Sequence, residues 1–292
     1  MLRNYSLLPI SNTEYSNARF VVFGVPDDSG SAYRKGSSMA PNAIRRFVGK
    51  NEVGAVIIGK RSSLFEPEMS IFDAKVLDMG NFSLGRLEAL SNMISNDKKI
   101  PVMIGGDHSI TYKLLSRIAP KRGKWSILYF DAHPDIVSSR GSYFGSVIND
   151  ISKIRGFDPK RSVIVGVRTP EREEVENIGR MGINTITPLE IERYGINRIS
   201  ANLDRILGEQ CYISIDMDVL DPSFAPGVTE PEPAGITPTQ LIYLAKRVAE
   251  RRRVVGFDVM EVCPKFDINN MTLHLSYRIL LEIIDSVSRY HI

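Results

Sequence analysis

The 292-residue chain is poor in the soft metal ligands: Cys211 and Cys263 are its only thiols, and His108, His133, His274 and His291 its only imidazoles. That supply excludes a disulfide framework and a thiolate zinc site, so any metal must be held mostly by carboxylates. Charge of one sign is lacking too, with 37 Lys+Arg against 34 Asp+Glu. Such a small, unclustered excess argues against a nucleic-acid partner, and Arg251-Arg252-Arg253 reads as the basic end of a helix. No apolar run approaches the roughly 18 residues of a membrane span, and Met1 to Phe20 has no signal-type stretch. A soluble, cytoplasmic chain with no membrane partner is the expectation. No Gly/Ser linker, low-complexity tract or repeat divides it, so residues 1–292 read as a single domain, and 43% apolar residues suffice for one large core.

What is present is alternation. Apolar runs at Phe20 to Val25, Ala55 to Ile58, Lys75 to Leu77, Ile100 to Ile104, Ser126 to Phe130, Ser162 to Val167, Tyr212 to Ile215 and Val254 to Phe257 read as strands buried on both faces. Between them, Asn42 to Val48, Gly85 to Ile94, Ser109 to Ile118, Glu171 to Met181, Thr237 to Arg252 and Met271 to Arg289 carry helical spacing. The pattern predicts βαβ units: an α/β fold with a mostly parallel central sheet and helices on both faces.

In such a sheet ligands sit beyond the carboxyl ends of the strands. Four runs end in acidic or His-bearing clusters: Gly105-Gly106-Asp107-His108-Ser109, Asp131-Ala132-His133-Pro134-Asp135, Asp216-Met217-Asp218-Val219-Leu220-Asp221, and Asp258-Val259-Met260-Glu261. In extended chain, Asp131, His133 and Asp135 face one side, as do Asp216 and Asp218. So many charges cannot share a buried strand end without a cation. Asp107, Asp221 and Asp258 read more simply as helix caps or turn closers. Two His and four Asp exceed the needs of one ion, and bridging carboxylates commonly hold two ions about 3.5 to 4 Å apart. Oxygen-rich ligation with one imidazole per ion favours Mn²⁺-like metals. The residues thus predict a dinuclear metallohydrolase using a metal-bridging hydroxide; a phosphoester, an amide or an amidine would each be attacked this way.

The three clusters around His108, Asp131 and Asp216 closely resemble, in order, the signature motifs of the arginase/agmatinase (ureohydrolase) family. Further likeness lies in Gly24-Val25-Pro26-Asp27-Asp28-Ser29-Gly30, in Ala225-Pro226-Gly227 with Pro231-Glu232-Pro233, and in Asp258-Val259-Met260-Glu261-Val262. The resemblance implies a three-layer α/β/α fold with about eight strands and two Mn²⁺ per chain. One ion would be bound by His108, Asp131, Asp135 and Asp216, the other by Asp131, His133, Asp216 and Asp218. It also implies hydrolysis of a guanidino group to urea and an amine, with Glu261 orienting the guanidinium, and a trimeric or hexameric homo-oligomer. The loop after the third motif looks more like agmatinases than arginases, so a small cationic guanidino substrate, agmatine, fits best.

Two departures stand out. Phe144 falls where many family members carry a proton-transferring His, and no His lies between His133 and His274. Asp135 is then the expected catalytic proton carrier as well as a ligand. At Thr229-Glu230, agmatinase-like loops usually have Gly followed by Thr or Asn; Glu230 either adds negative charge beside a cationic substrate or is a solvated loop residue. Another guanidino or formimino substrate, with Arg140 facing an anionic tail, is one competing reading. A metal-binding paralogue of low activity is another, and a two-metal phosphoesterase is disfavoured because no Lys or Arg cluster accompanies the carboxylates.

Overall fold

The computed structural model describes residue 8 and residues 10–50, 74–121, 123–139 and 143–290. The strand read at Ala55 to Ile58, Arg140, and His291 lie outside those residues. Eight strands form one parallel sheet: β1 (Phe20–Gly24), β2 (Val76–Asn81), β3 (Ile100–Ile104), β4 (Ser126–Phe130), β5 (Val163–Val165), β6 (Asn184–Ile186), β7 (Gln210–Asp216) and β8 (Arg253–Met260). Their order across the sheet is β2-β1-β3-β8-β7-β4-β5-β6. The eighth strand is β6, a short half-polar segment that periodicity does not reveal.

Alternate strand residues feed two cores, because successive side chains leave opposite faces. Val22, Phe130, Ile213 and Phe257 pack with α1 (Ala40–Lys50), α6 (Pro188–Tyr194), α7 (Ile196–Ile206), α8 (Pro238–Arg251) and α9 (Met271–Tyr290). Val21, Met103, Tyr129 and Tyr212 pack with α2 (Leu84–Asn96), α3 (Ser109–Ile118), α4 (Val147–Ile151) and α5 (Arg172–Met181). These are the three layers expected. The helices α4, α6 and α7 were not anticipated from spacing. For α6 a start signal exists: Thr187 accepts from the Glu190 N–H while Glu190 accepts from the Thr187 N–H, with Pro188 at the first helical position. The same device opens α8 at Thr237, Pro238 and Gln240.

The central strands β3, β8, β7 and β4 are neighbours, so the loops after them meet at one edge. Register does the rest: Phe130 pairs with Ile215 and Ser214 with Asp258, which brings Asp131 and Asp216 side by side one step further along. Gly106 lets the loop before α3 approach the Asp27 segment, where an added Cβ would overlap the Asp27 carbonyl oxygen.

Candidate metal centre

At that edge the predicted ligands converge. His108 Nδ1 lies 3.2 Å from Asp131 Oδ2, 3.1 Å from Asp216 Oδ2 and 3.9 Å from Asp135 Oδ2. His133 Nδ1 lies 3.4 Å from Asp131 Oδ1 and 3.1 Å from Asp218 Oδ2. Two sets able to hold an ion result, His108-Asp131-Asp135 and Asp131-His133-Asp218, with Asp131 common to both. Backbone amides hold the carboxylates in place: His133 N–H donates to Asp131 Oδ1, Asp218 N–H to Asp216 Oδ1 and Ala132 N–H to Asp218 Oδ1.

The electrostatics match a site built for cations. Burial and the charges of Asp218 and Asp131 push the Asp216 carboxyl well above the carboxylate range, and burial with Asp131 does the same to Asp135. Burial opposes protonation of His108 and His133, but the charges and hydrogen bonds of the surrounding aspartates outweigh it and raise both imidazoles. Burial would likewise raise Asp131, yet the two imidazoles pull it down to about 2. Without a metal, then, this cluster balances its negative charge with protons. Asp131 Oδ2 is buried and faces His108 Nδ1 at 3.2 Å without a well-directed hydrogen bond. An orphaned carboxylate oxygen between two His-bearing carboxylate sets fits divalent ions chemically.

His108 is further fixed from behind. Its Nε2 stands 2.8 Å from Ser214 Oγ, and that hydroxyl donates to Asp258 Oδ1 at 2.6 Å. Asp258 also accepts from Thr111 and Tyr212, so it neither caps a helix nor closes a turn. The capping expectation is corrected for this residue: Asp258 anchors the chain of hydrogen bonds that orients His108. Asp107 and Asp221 do behave as expected, Asp107 accepting from Ser109 and Gly30 and Asp221 from Ser223 and Gly235.

The centre opens into a cleft of about 260 Å³ lined by His133 and Asp135, by Tyr143 and Phe144, and by Glu171, Glu174, Glu230 and Glu232. Glu230 Oε2 is 3.8 Å and Glu232 Oε1 4.0 Å from His133 Nε2. Burial, together with the neighbouring carboxylates, raises the Glu230 carboxyl. Glu261 is placed differently. It is fully buried outside the cleft lining, with Oε1 accepting from the His108 N–H and Oε2 from Thr229 Oγ1. Burial pushes its pKa up to about 8. Asp135 and Glu261 both adopt left-handed backbone, φ +52° and +60°, a conformation uncommon outside glycine and frequent at functional sites. His274 packs on Phe47, ring centroids 5.6 Å apart, and takes no part in the cluster.

No motif or spacing in the sequence singles out Arg168. Its guanidinium donates to the backbone carbonyls of Asp218 and Glu232 at 2.7 and 2.8 Å, joining the third motif to the acidic loop.

A parallel α/β/α sheet bearing paired carboxylate-imidazole sets at its carboxyl edge defines a metal-site hydrolase of a particular class. The chain belongs to the arginase family, which it matches over residues 18–285. It is an arginase-family ureohydrolase. It is 29% identical over 284 residues to the proclavaminate amidinohydrolase of Streptomyces clavuligerus, covering 93% of this chain and 88% of that protein. It is 28% identical over 290 residues to an agmatinase of Neisseria meningitidis, covering 95% and 90%. The agmatine ureohydrolase structure from Thermoplasma volcanium superposes with a TM-score of 0.83 at 29% identity, covering 98% of this chain and 96% of that one.

Proposed function

We propose that the chain hydrolyses agmatine to putrescine and urea, using two Mn²⁺ ions held by His108, Asp131, Asp135 and Asp216 and by Asp131, His133, Asp216 and Asp218. The observation that carries this reading is the sharing of Asp131 by two ligand sets at the foot of a cleft lined by four glutamates. Bound there, the ions would supply a water that ionises near neutral pH.

The residues of the chain do the rest. A carboxylate matches the planar donor fork of a guanidinium, and the family resemblance assigns that role to Glu261. In this structure Glu261 is buried outside the cleft lining, with its pKa pushed up to about 8 and its oxygens accepting from the His108 N–H and Thr229, so pairing with a guanidinium requires that it lose its proton and that the wall between it and the cleft open. Asp135 accepts the proton given up by the attacking water and passes it to the leaving nitrogen, which departs as the amine while the water oxygen stays with urea. Glu171, Glu174, Glu230 and Glu232 attract a protonated amine at the far end of the substrate and repel a carboxylate there, which favours agmatine among the substrates named in the relatives. The same reading carries a cytoplasmic setting in polyamine synthesis and a trimeric or hexameric assembly. No helix among the described residues is long and apolar enough to cross a membrane.

A second reading, a metal-binding paralogue of low activity, is favoured by Phe144, an apolar side chain in the cleft where the family resemblance places a His. Urea release with Mn²⁺ from agmatine, arginine and 4-guanidinobutyrate separates them: turnover of agmatine supports the first, and silence on all three despite bound metal supports the second.

A further inference from the structure

Tyr129 is a buried group that the reaction above leaves unused. It lies on β4 two residues before Asp131, which directly follows the strand. Its ring lies nearly parallel to that of His108, with centroids 4.6 Å apart and 11° between planes. Its hydroxyl stands 3.0 Å from His108 Nδ1 and donates to Asp135 Oδ2 at 2.5 Å. Among the described residues it is the one hydrogen-bond donor to the Asp135 carboxylate.

Asp135 has reason to need such a partner. It sits in the turn beyond β4 rather than on the strand, so the sheet does not aim its side chain. Its left-handed backbone is held by the Ile148 N–H on its carbonyl, which fixes the main chain but leaves the carboxyl free to rotate. The phenol has one proton, and the structure gives it to Asp135 Oδ2, with His108 Nδ1 the adjoining nitrogen. An ion held at Nδ1 would occupy that nitrogen's lone pair and leave Asp135 as the acceptor of the phenol proton. Both contacts of the hydroxyl, His108 Nδ1 and Asp135 Oδ2, belong to the first ligand set; His133 and Asp218 belong to the second.

Resting on the two-ion reading above, we propose that Tyr129 is a positioning residue that aims Asp135 and the His108 ring at a common ion, so that its hydroxyl governs one ion site and not the other. Tyr129→Phe keeps the stacked ring and removes only the oxygen. The test is a calorimetric Mn²⁺ titration of metal-free wild type and variant, with melting temperatures measured with and without Mn²⁺. Wild type is expected to bind two ions. Tyr129→Phe is expected to bind one ion as wild type does and the other about 10 to 100-fold more weakly, the range for a lost ligand-orienting hydrogen bond. Its metal-free melting temperature falls modestly, because a buried carboxylate oxygen loses its donor, and its Mn²⁺-induced rise shrinks as well. Asp135→Asn weakens the same ion, and adding Tyr129→Phe to it brings no further loss. Two ions at wild-type affinity in Tyr129→Phe, or both ions weakened alike, each overturns the proposal. A wild type that binds fewer than two ions overturns instead the metal reading on which it rests.

Discussion

Ser214 Oγ donates its single proton to Asp258 Oδ1, which leaves only lone pairs for His108 Nε2, 2.8 Å away. His108 must therefore carry hydrogen on Nε2 when it is neutral, and its Nδ1 lone pair turns toward Asp131 and Asp216. A side chain one residue layer below the carboxylates thus selects the tautomer a metal requires.

Asp258→Asn puts that selection to the test. An amide in place of a carboxylate that accepts from Ser214, Thr111 and Tyr212 turns one acceptor into a donor. Mn²⁺ affinity is expected to fall about 10 to 100-fold, read by titration of the metal-free protein. An affinity unchanged in a folded Asp258→Asn protein would show that the Ser214 relay does not set the ligand.

Metal affinity should rise with pH. In the metal-free protein the surrounding aspartates raise His108 and His133 above the ordinary imidazole range against the opposing effect of burial, so both hold their protons more tightly than a free imidazole does. An ion must displace those protons, and higher pH removes its competitors. Calorimetry in buffers of different ionisation enthalpy should register proton release on Mn²⁺ binding. Affinity that stays flat between about pH 6 and 8, with no proton release, contradicts this balance.

Glu230→Gln and Glu232→Gln address the cationic tail. Both side chains are partly exposed, 24% and 30%, so solvent screens them and the effect is modest. Each is expected to raise KM for agmatine roughly 3 to 10-fold with kcat little changed, and to leave KM for 4-guanidinobutyrate the same or lower. Equal losses on both substrates would remove the rim from the account of specificity.

Phe144→His restores an imidazole to the cleft wall. If Phe144 occupies the position of the family His, kcat on agmatine should increase by at least about 10-fold, the lower reach of a positioned acid or base being near 100-fold. No gain in a variant that binds two ions would mean that the proton passes elsewhere.

The clustering of the candidate ligands was legible because they follow apolar runs directly and repeat at spacing two, so strand geometry places Asp131 and Asp216 at one sheet edge. Asp135 lies past the strand end, and its placement depends on a left-handed turn and on Tyr129, neither visible in a residue pattern. Tyr129, Tyr212 and Ser214 read as ordinary strand residues; only the register of β4, β7 and β8 lines them up beneath the carboxylates. The same holds for β6, too short and polar for periodicity, and for Arg168, whose partners are backbone carbonyls more than 49 positions away in chain order for Asp218 and Glu232. Glu230 carried both of its sequence readings into the structure, where it lines the cleft and also keeps part of its side chain in solvent.

The most direct test of the account is urea release from agmatine by protein stripped of metal and reloaded with Mn²⁺, with putrescine measured alongside. The account predicts equal amounts of urea and putrescine, formed only after reloading, and far less urea from arginine or 4-guanidinobutyrate. Protein that takes up two Mn²⁺ per chain yet releases no urea from any of the three would contradict it.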